Sequence, residues 1–236
     1  MKHEILSTIA DAYEICGRIF EFPNSDLVEL ICNRAILDEI AKISASLEDG
    51  GYEGYETSLI ENLTCENPSV LLDNLKKEYS ILFLTPGAHV PIWIYEAPFR
   101  FVQDGREGSP SLFRSPTTID VEKRMVNAGL NPPNRRKEPI DSMSDECYFI
   151  SLLLRDAYRA IETHDLELFN SRLEQARDFN DVHLSMWMQP FMLGVIELSR
   201  SYEYGASYAS FADFGKYVSK LDLSGILSSL DASVDV

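Results

Sequence analysis

Apolar residues recur along most of the chain at steps of three and four residues, which is the spacing of one face of an α-helix. This pattern predicts a first helix from residue 3 to about residue 20. A second helix is predicted to start at the candidate N-cap residues 24–26 and to end near the glycines at 50 and 51. A short segment at about 55–62 shows the pattern less clearly.

Asn67 and Pro68 form an N-cap and first-turn pair that marks the start of the next helix. The predicted buried face of this helix consists of large apolar residues at helical spacing: Leu71, Leu72, Leu75, Tyr79, Leu82 and Phe83. Farther along the chain, residues 117–129 are predicted to form a short helix that stops at Gly129.

The most apolar helical pattern begins near Ser142. From Met143 to Ile161 the apolar residues fall at alternating steps of four and three, and more apolar residues occupy other faces. We therefore expect this helix to be buried on most sides, at the centre of the protein. The pattern then predicts a helix start at Asp165, a kink or junction around Ser185 and Pro190, and a last helix at 206–220.

Residues 84–116 interrupt the helical pattern. They contain five of the eleven prolines and three glycines, which prevent a continuous helix and remove backbone donors that a central strand would need. We predict a long ordered connector or loop here, because its aromatic content argues against disorder. No segment alternates apolar and polar residues between turn signals, so the predicted fold is all-α, with one helical bundle domain over residues 1–236.

Charge excludes one class of ligand. The chain carries 38 acidic and 21 basic residues, which gives a formal net charge of −17. A field of this sign repels phosphate backbones and attracts cationic partners, so we do not expect nucleic acid as a ligand. Solubility alone explains the same charge, and both interpretations stay open.

The cysteines and the apolar runs bear on the compartment. Four cysteines lie far apart, without a C-x-x-C pair, and we predict that all are reduced core thiols: Cys16, Cys32, Cys65 and Cys147. The N-terminal residues include acidic side chains where a secretory signal needs an unbroken apolar run. No apolar stretch approaches the ~20 residues that span a bilayer. The expected location is the cytoplasm, without membrane insertion.

Converging catalytic groups are scarce. The four histidines are scattered, with no H-x-x-x-H pair: His3, His89, His164 and His183. His164 and Asp165 resemble the metal dyad of HD-type phosphohydrolases, but companion ligands are missing and Asp165 fits better as a helix start. Nucleophile-elbow and phosphate-loop motifs are absent. The basic residues 135–137 could meet a phosphate or carboxylate, although a solvated turn explains them better. We predict no catalytic residue, no metal and no cofactor.

The connector and the helix before it carry large apolar residues with polar tips, which are typical of peptide-binding surfaces: Leu82, Phe83, Trp93, Tyr95 and Phe99. The alternative is that these residues close the helical core from outside. A groove in which aromatic rings meet acidic side chains would suit an extended segment that carries arginines and apolar residues.

Four motifs, in order, resemble the TorD/DmsD/NarJ family of redox-enzyme maturation chaperones over nearly the whole chain. "YEICGRIFEFPNSDLVELI", from Tyr13, is similar to the first two helices of that family. "EYSILFLTP", residues 78–86, resembles its E-Y-x-x-L-F-x-x-P signature, and the aromatic, proline-rich stretch that follows takes the place of P-x-x-x-x-E-S-x-Y. "EPIDSMSDECYFISLLL", residues 138–154, resembles E-P-x-D-H-x-x-x-E-L-x-F-M-x-x-L. "FNDVHLSMWMQPF", residues 179–191, resembles F-x-x-x-H-L-x-x-W-x-x-x-F.

Three positions depart from these motifs. Ser142 stands where the family has the histidine of its D-H pair, Ala97 replaces the serine of E-S, and Cys147 replaces the leucine of E-L. The family's P-x-D-H turn and its proline-aromatic stretch are implicated in binding the client's leader peptide. Pro139 and Asp141 carry over, whereas any proton- or nucleotide-linked role of the missing imidazole does not.

The resemblance implies a non-catalytic, helical, cytoplasmic chaperone. It would bind the apo form of a molybdenum-cofactor oxidoreductase catalytic subunit, assist cofactor loading and, where a twin-arginine leader exists, delay export. The apolar run of a leader would bury on Leu82, Phe83 and Trp93, and its arginines would pair with Asp141 and Glu96. The predicted peptide-binding residues are Tyr79, Leu82, Phe83, Pro86, Trp93, Tyr95, Glu96, Pro139, Asp141 and Ser142.

Two other functions stay open on the sequence. One is a helical scaffold or regulator with a different protein partner, which the same surface could serve. The other is a metal-dependent phosphohydrolase of the HD type. Both a monomer and a homodimer are compatible with the pattern, as are recognition of a leader and of an internal client segment.

Overall fold

The structure of the protein is a computed structural model. It describes residues 4–49, 51, 53–55, 63, 65–84, 90–130, 138–201 and 206–231. The predicted all-α fold is confirmed, since the described residues form helices and one isolated bridge, but no strand. The helices are α1 (Glu4–Ile19), α2 (Ser25–Cys32), α3 (Ala35–Asp49), α4 (Pro68–Phe83), α5 (Glu96–Gln103), α6 (Pro116–Asn127), α7 (Met143–Glu162), α8 (Leu166–Phe179), a π-helix (Asn180–Leu184), α9 (Ser185–Arg200), α10 (Ala206–Val218) and α11 (Leu223–Asp231).

Helix α7 lies at the centre of the protein, as predicted. It packs against α1 and α8, while α9 and α10 pack against each other. The start at Ser142 is also confirmed, because its hydroxyl accepts a hydrogen bond from Asp145 N at 3.0 Å. Most inward residues at the predicted spacing are fully buried, and the last one, Ile161, is partly buried. The fully buried ones are Met143, Cys147, Ile150, Leu154 and Ala157.

The prediction of one helix between residues 24 and 50 is wrong, because the helix is interrupted at Asn33 and Arg34. Arg34 takes the left-handed conformation with a φ of 63°, which α-helix residues do not adopt. Asn33 Oδ1 accepts a hydrogen bond from Ala35 N at 2.9 Å and so supports the start of α3. Buried apolar residues recur on both sides of the break, such as Ile31 before it and Ile36 after it, so the apolar pattern alone does not reveal it.

The connector contains a helix that the sequence analysis did not predict. Helix α5 begins at Glu96 and includes Pro98 in its first turn, where proline removes no intrahelical hydrogen bond. Phe99 lies on its inner side, with its ring centroid 5.6 Å from that of Trp187. For Phe99, the interpretation that the connector's rings close the core is therefore correct.

The predicted junction at Ser185 is confirmed as the place where the π-helix gives way to α9. Pro190 lies inside α9 rather than at a break. The wider turn of a π-helix changes which side chains face inward, and here His183 and Leu184 are both buried.

Helix α11 was missed by the sequence analysis, which ended the last helix at 220. Asp222 marks its start, because its Oδ1 accepts a hydrogen bond from Gly225 N at 3.0 Å. The helix packs against α8 and the π-helix. Its apolar residues are spaced like a helix, but serines and a glycine between them weaken the pattern.

The prediction of four reduced thiols is wrong for one pair, because Cys32 and Cys65 form a disulfide. Cys16 and Cys147 are free and buried, as predicted. The disulfide joins the end of α2 to the segment before α4, two helices that also pack against each other. Within the described parts of the chain, no helix is both long and apolar enough to cross a membrane.

Candidate functional site

A cleft of about 420 Å³ opens where four segments of the chain meet. These are the α1–α2 junction, the end of α4, the connector before α5 and the turn before α7. The lining mixes aromatic, apolar and acidic side chains: Phe20, Glu21, Phe22, Asn24, Tyr79, Leu84, Ile94, Tyr95, Glu138, Pro139, Ser142, Ser144 and Asp145. Aromatic rings and acidic side chains therefore meet in this cleft.

Backbone hydrogen bonds hold the connector against the turn before α7. Tyr95 and Ser142 form an isolated antiparallel bridge. On either side of it, Glu96 N donates to Asp141 O at 2.7 Å and Met143 N donates to Ile94 O at 3.0 Å. Helices α5 and α7 therefore begin side by side at the cleft.

The predicted peptide-binding residues do not all reach this cleft. Those that line it are Tyr79, Tyr95, Pro139 and Ser142. Those that do not are Leu82, Phe83, Trp93, Glu96 and Asp141. Pro86 lies outside the described residues, as do the basic residues 135–137 and most of the segment predicted at 55–62.

Leu82 and Phe83 belong to the core behind the cleft, since they are only 1% and 3% exposed. The ring of Phe83 packs against that of Tyr79 with centroids 4.9 Å apart, and against that of Tyr208 at 5.4 Å. Phe83 thus supports the Tyr79 wall but offers no surface of its own. Trp93 is half-buried, outside the cleft.

The charged side chains of the cleft are all acidic among the described residues: Glu21, Glu138 and Asp145. Desolvation raises the pKa of Asp145 to about 6, although part of its side chain is exposed at the surface. The hydrogen bond from Ser142 Oγ, at 2.6 Å, opposes this rise, and the charges of Glu138 and Glu21 add to it. The cleft therefore favours a positively charged guest.

Asp141 lies behind the cleft wall with no exposed surface. Its Oδ2 accepts hydrogen bonds from Ala97 N at 2.9 Å and from Thr118 Oγ1 at 3.1 Å. Burial raises its pKa to about 6, against the lowering effect of these bonds. Asp141 thus ties the connector to the turn before α7, and in this structure it has no surface for the direct pairing with client arginines that the sequence predicted.

Glu96 is equally buried, so it is also closed to a client arginine. Arg100 donates to its Oε1 at 2.6 Å, and His183 Nδ1 lies 2.7 Å from its Oε2. The other ring nitrogen of His183 lies 3.1 Å from Asp120 Oδ2. Helix α5 is in this way linked to the π-helix and to α6.

Glu146, on α7, belongs to the same buried polar group as Glu96, Arg100 and His183. Trp187 Nε1 donates to its Oε2 at 2.9 Å. Burial, followed by the charge of Glu96, raises the pKa of Glu146 well above its usual range. Glu146, His183 and Trp187 all lie within the family-like motifs, but their spacing in the sequence does not show that they meet. The available signal was a glutamate on the buried face of the most apolar helix.

His164 and Asp165, the residues that resemble a metal dyad, have structural roles. Asp165 Oδ1 accepts a hydrogen bond from Leu168 N at 3.0 Å and caps α8, as the helix-start interpretation predicted. His164 has a φ of 58° in the exposed turn before it.

Residues 48–192 match the protein family described as nitrate reductase delta subunit. The match extends over more than half of the chain and includes the connector, the turn before α7 and the buried polar group. It confirms the resemblance to redox-enzyme maturation chaperones. No curated protein matched the chain, and no solved structure did.

Proposed function

Because the chain belongs to the nitrate reductase delta subunit family, whose members are molybdoenzyme assembly chaperones, we propose that its cleft binds a client segment. The client is the apo catalytic subunit of a molybdenum-cofactor oxidoreductase, and the segment is its twin-arginine leader. Binding takes place in the cytoplasm, before cofactor loading and export. The family is one of chaperones and not of catalysts.

The observation that carries this proposal is the pairing of acidic and aromatic groups in one cleft. Glu21, Glu138 and Asp145 give a negative lining, and arginine forms charge-assisted hydrogen bonds with carboxylates. Phe22, which is 50% exposed, and the half-buried Tyr95 offer ring area beside them, on which an apolar run can bury at ~25 cal/mol per Å². A leader contains both features in sequence. In this proposal the client arginines pair with Glu21, Glu138 and Asp145, and not with the buried Glu96 and Asp141.

The net charge supports the same proposal at longer range. With a net charge of −17, the protein attracts a cationic segment before contact and so raises the association rate, an effect that salt screens. Apolar contact in the cleft then sets most of the dissociation rate.

Calorimetry with a synthetic leader of a co-expressed molybdoenzyme tests the proposal. We expect Tyr95→Ala to weaken binding on the order of tenfold through lost ring area. Glu138→Gln should weaken it about two- to fivefold, the size of an exposed ion pair of ~0.5–1 kcal/mol. The matched control is Glu174→Gln, which removes the same charge from the exposed face of α8.

The controls separate a local site from a general charge effect. Glu174→Gln should bind like the unchanged protein, and the effect of Glu138→Gln should shrink at high salt. Equal weakening by both glutamine variants would contradict the cleft assignment. So would unchanged binding by Tyr95→Ala at unchanged thermal stability.

A further inference from the structure

Three buried side chains behind the cleft come together from separate helices. Glu96 belongs to α5, Glu146 to α7 and His183 to the π-helix, and they are 0%, 0% and 2% exposed. One ligand atom from each lies within 4.8 Å of the ligand atoms of the other two. Side chains of these types are ordinary ligands of transition metals.

In each of the two glutamates, one carboxylate oxygen accepts a hydrogen bond from a neighbouring side chain, and the other oxygen is left for the three-residue cluster. Arg100 donates to Glu96 Oε1, which leaves Oε2 facing His183. Trp187 donates to Glu146 Oε2, and Glu146 Oε1 has no hydrogen-bond partner among the described residues. A fully buried carboxylate oxygen without a donor is unfavourable unless a positive centre compensates it.

The histidine is held in the arrangement that metal ligands commonly show. His183 Nε2 lies 3.1 Å from Asp120 Oδ2, so Nε2–H can donate to that carboxylate. Arg124 in turn holds Asp120, with its Nε 2.7 Å from the same oxygen. The Asp120 carboxylate thus fixes the orientation of the His183 ring, and the lone pair of Nδ1 is directed towards Glu96 and Glu146.

With Nε2 protonated, the inner atoms of all three residues are acceptors. Nδ1 lies 2.7 Å from Glu96 Oε2, and ligand atoms of all three residues lie within 4.8 Å of one another. Acceptors at these separations, away from water, need positive charge between them. Only protons or a metal ion can supply it.

We propose that Glu96 Oε2, Glu146 Oε1 and His183 Nδ1 bind one divalent transition-metal ion, with Zn²⁺ the best match. Zn²⁺ accepts a mixed set of imidazole nitrogen and carboxylate oxygen, and three protein ligands are sufficient when a fourth position is left open. The site is independent of the proposed function, which concerns the cleft in front of it.

The charges around the site balance with a divalent ion. Glu96, Glu146 and the neighbouring buried Asp141 carry three negative charges when ionised, and Arg100 supplies one positive charge. Asp120 and Arg124 neutralise each other. A divalent ion therefore brings the buried group to neutrality while every carboxylate stays ionised.

The ion would connect two walls of the cleft. Tyr95 precedes Glu96 and Asp145 precedes Glu146, and both Tyr95 and Asp145 line the cleft. Because the ligands are closed to solvent, the ion enters as the chain folds or during a local opening. Loading should therefore depend on the metal present during folding.

Elemental analysis of the full chain, purified from cells grown with added zinc, manganese and iron salts, tests the site. We expect about one metal ion per chain, and near-complete loss in Glu146→Gln and His183→Gln. The matched control is His164→Gln, which alters an exposed histidine in the turn before α8 and should keep the metal. Equal metal content in His183→Gln and the unchanged protein would overturn the proposal.

Refolding with Co²⁺ gives a second measurement that needs no variant, in case the substitutions prevent folding. The unchanged chain refolded with Co²⁺ should show visible d–d absorption typical of nitrogen and oxygen ligands, and Zn²⁺ should abolish it by competition. Zn²⁺ present during refolding should also raise Tm. Refolded protein without this absorption and without bound Zn²⁺ would show that protons alone bridge the carboxylates, and would overturn the proposal.

Discussion

Glu78 is a carboxyl group placed among the aromatic rings that support the cleft. It lies on α4 and is buried; Ser207 Oγ donates to its Oε1 at 3.1 Å and Tyr208 N donates to its Oε2 at 3.3 Å. Burial raises its pKa, and these hydrogen bonds oppose the rise only in part. The folded chain therefore binds this proton more tightly than the unfolded chain does.

Glu78 should make stability depend on pH. Because its folded pKa lies above the unfolded one, its contribution is fully present below the unfolded pKa and is lost as pH rises through the folded pKa. The variant Glu78→Gln has a side chain of nearly the same size and shape as glutamate, but without an ionisable group. Its Tm should exceed that of the unchanged protein by a margin that widens from pH 5 to pH 8, measured by circular dichroism.

Comparison within each pH isolates this group from the other buried acids, because their contributions are common to both proteins. Glu174→Gln, on the exposed face of α8, should show no widening margin. A constant difference between Glu78→Gln and the unchanged protein across the pH range would contradict the prediction.

Single residues also show where sequence reasoning reaches its limit. Tyr79, Tyr95, Pro139 and Ser142 were predicted as site residues and do line one cleft. Glu96, by contrast, was predicted to pair with client arginines, but it is fully buried. Its burial depends on Arg100 and His183, and His183 lies 87 residues away in sequence. Local spacing carries no information about such a pairing.

The α2–α3 break gives a prediction for an element boundary. Arg34 holds the left-handed conformation there, with a φ of 63°, and its side chain is exposed. Glycine adopts this conformation without the steric penalty of a Cβ atom. We expect Arg34→Gly to stabilise the chain by ~0.5–1 kcal/mol, after its greater entropy in the unfolded state is included. For a chain of this size this is about 1–4 °C in Tm.

The control for this prediction is Arg34→Ala, which removes the side chain but keeps the Cβ atom. It should leave urea unfolding nearly unchanged. If alanine stabilised the chain as much as glycine, the effect would come from the loss of the arginine charge rather than from the backbone. Destabilisation by glycine would contradict the assigned conformation.

Helices with long, strongly apolar faces were predictable, because burial of one face sets the spacing of apolar residues along the sequence. This holds for α1, α4 and α7. The break after α2 and the short helix α5 were not, since a capping asparagine and a tertiary ring contact decide them. Helix α11 is held by packing against α8 and the π-helix, which the local sequence does not reveal.

At the scale of the whole molecule, the cleft depends on helices that are far apart in sequence. The α1–α2 junction supplies one wall and α4 another. Away from the cleft, the Cys32–Cys65 disulfide joins the last residue of α2 to the segment before α4, across a sequence separation of 33 residues. In a reducing cytoplasm such bridges are rare, so the stability of the reduced chain bears directly on the proposed function.

We expect reduction of this disulfide to lower the free energy of unfolding by roughly 3–4 kcal/mol, from the loop it closes in the unfolded chain. Urea unfolding with and without reductant measures this, and Cys32→Ser should reproduce the reduced value without reductant. The buried thiols of Cys16 and Cys147 should stay unreactive towards a thiol reagent until the chain unfolds. Two thiols that react at once in untreated folded protein would show that Cys32 and Cys65 are not joined. If reduction left stability unchanged, packing between α2 and α4 alone would hold the two walls together.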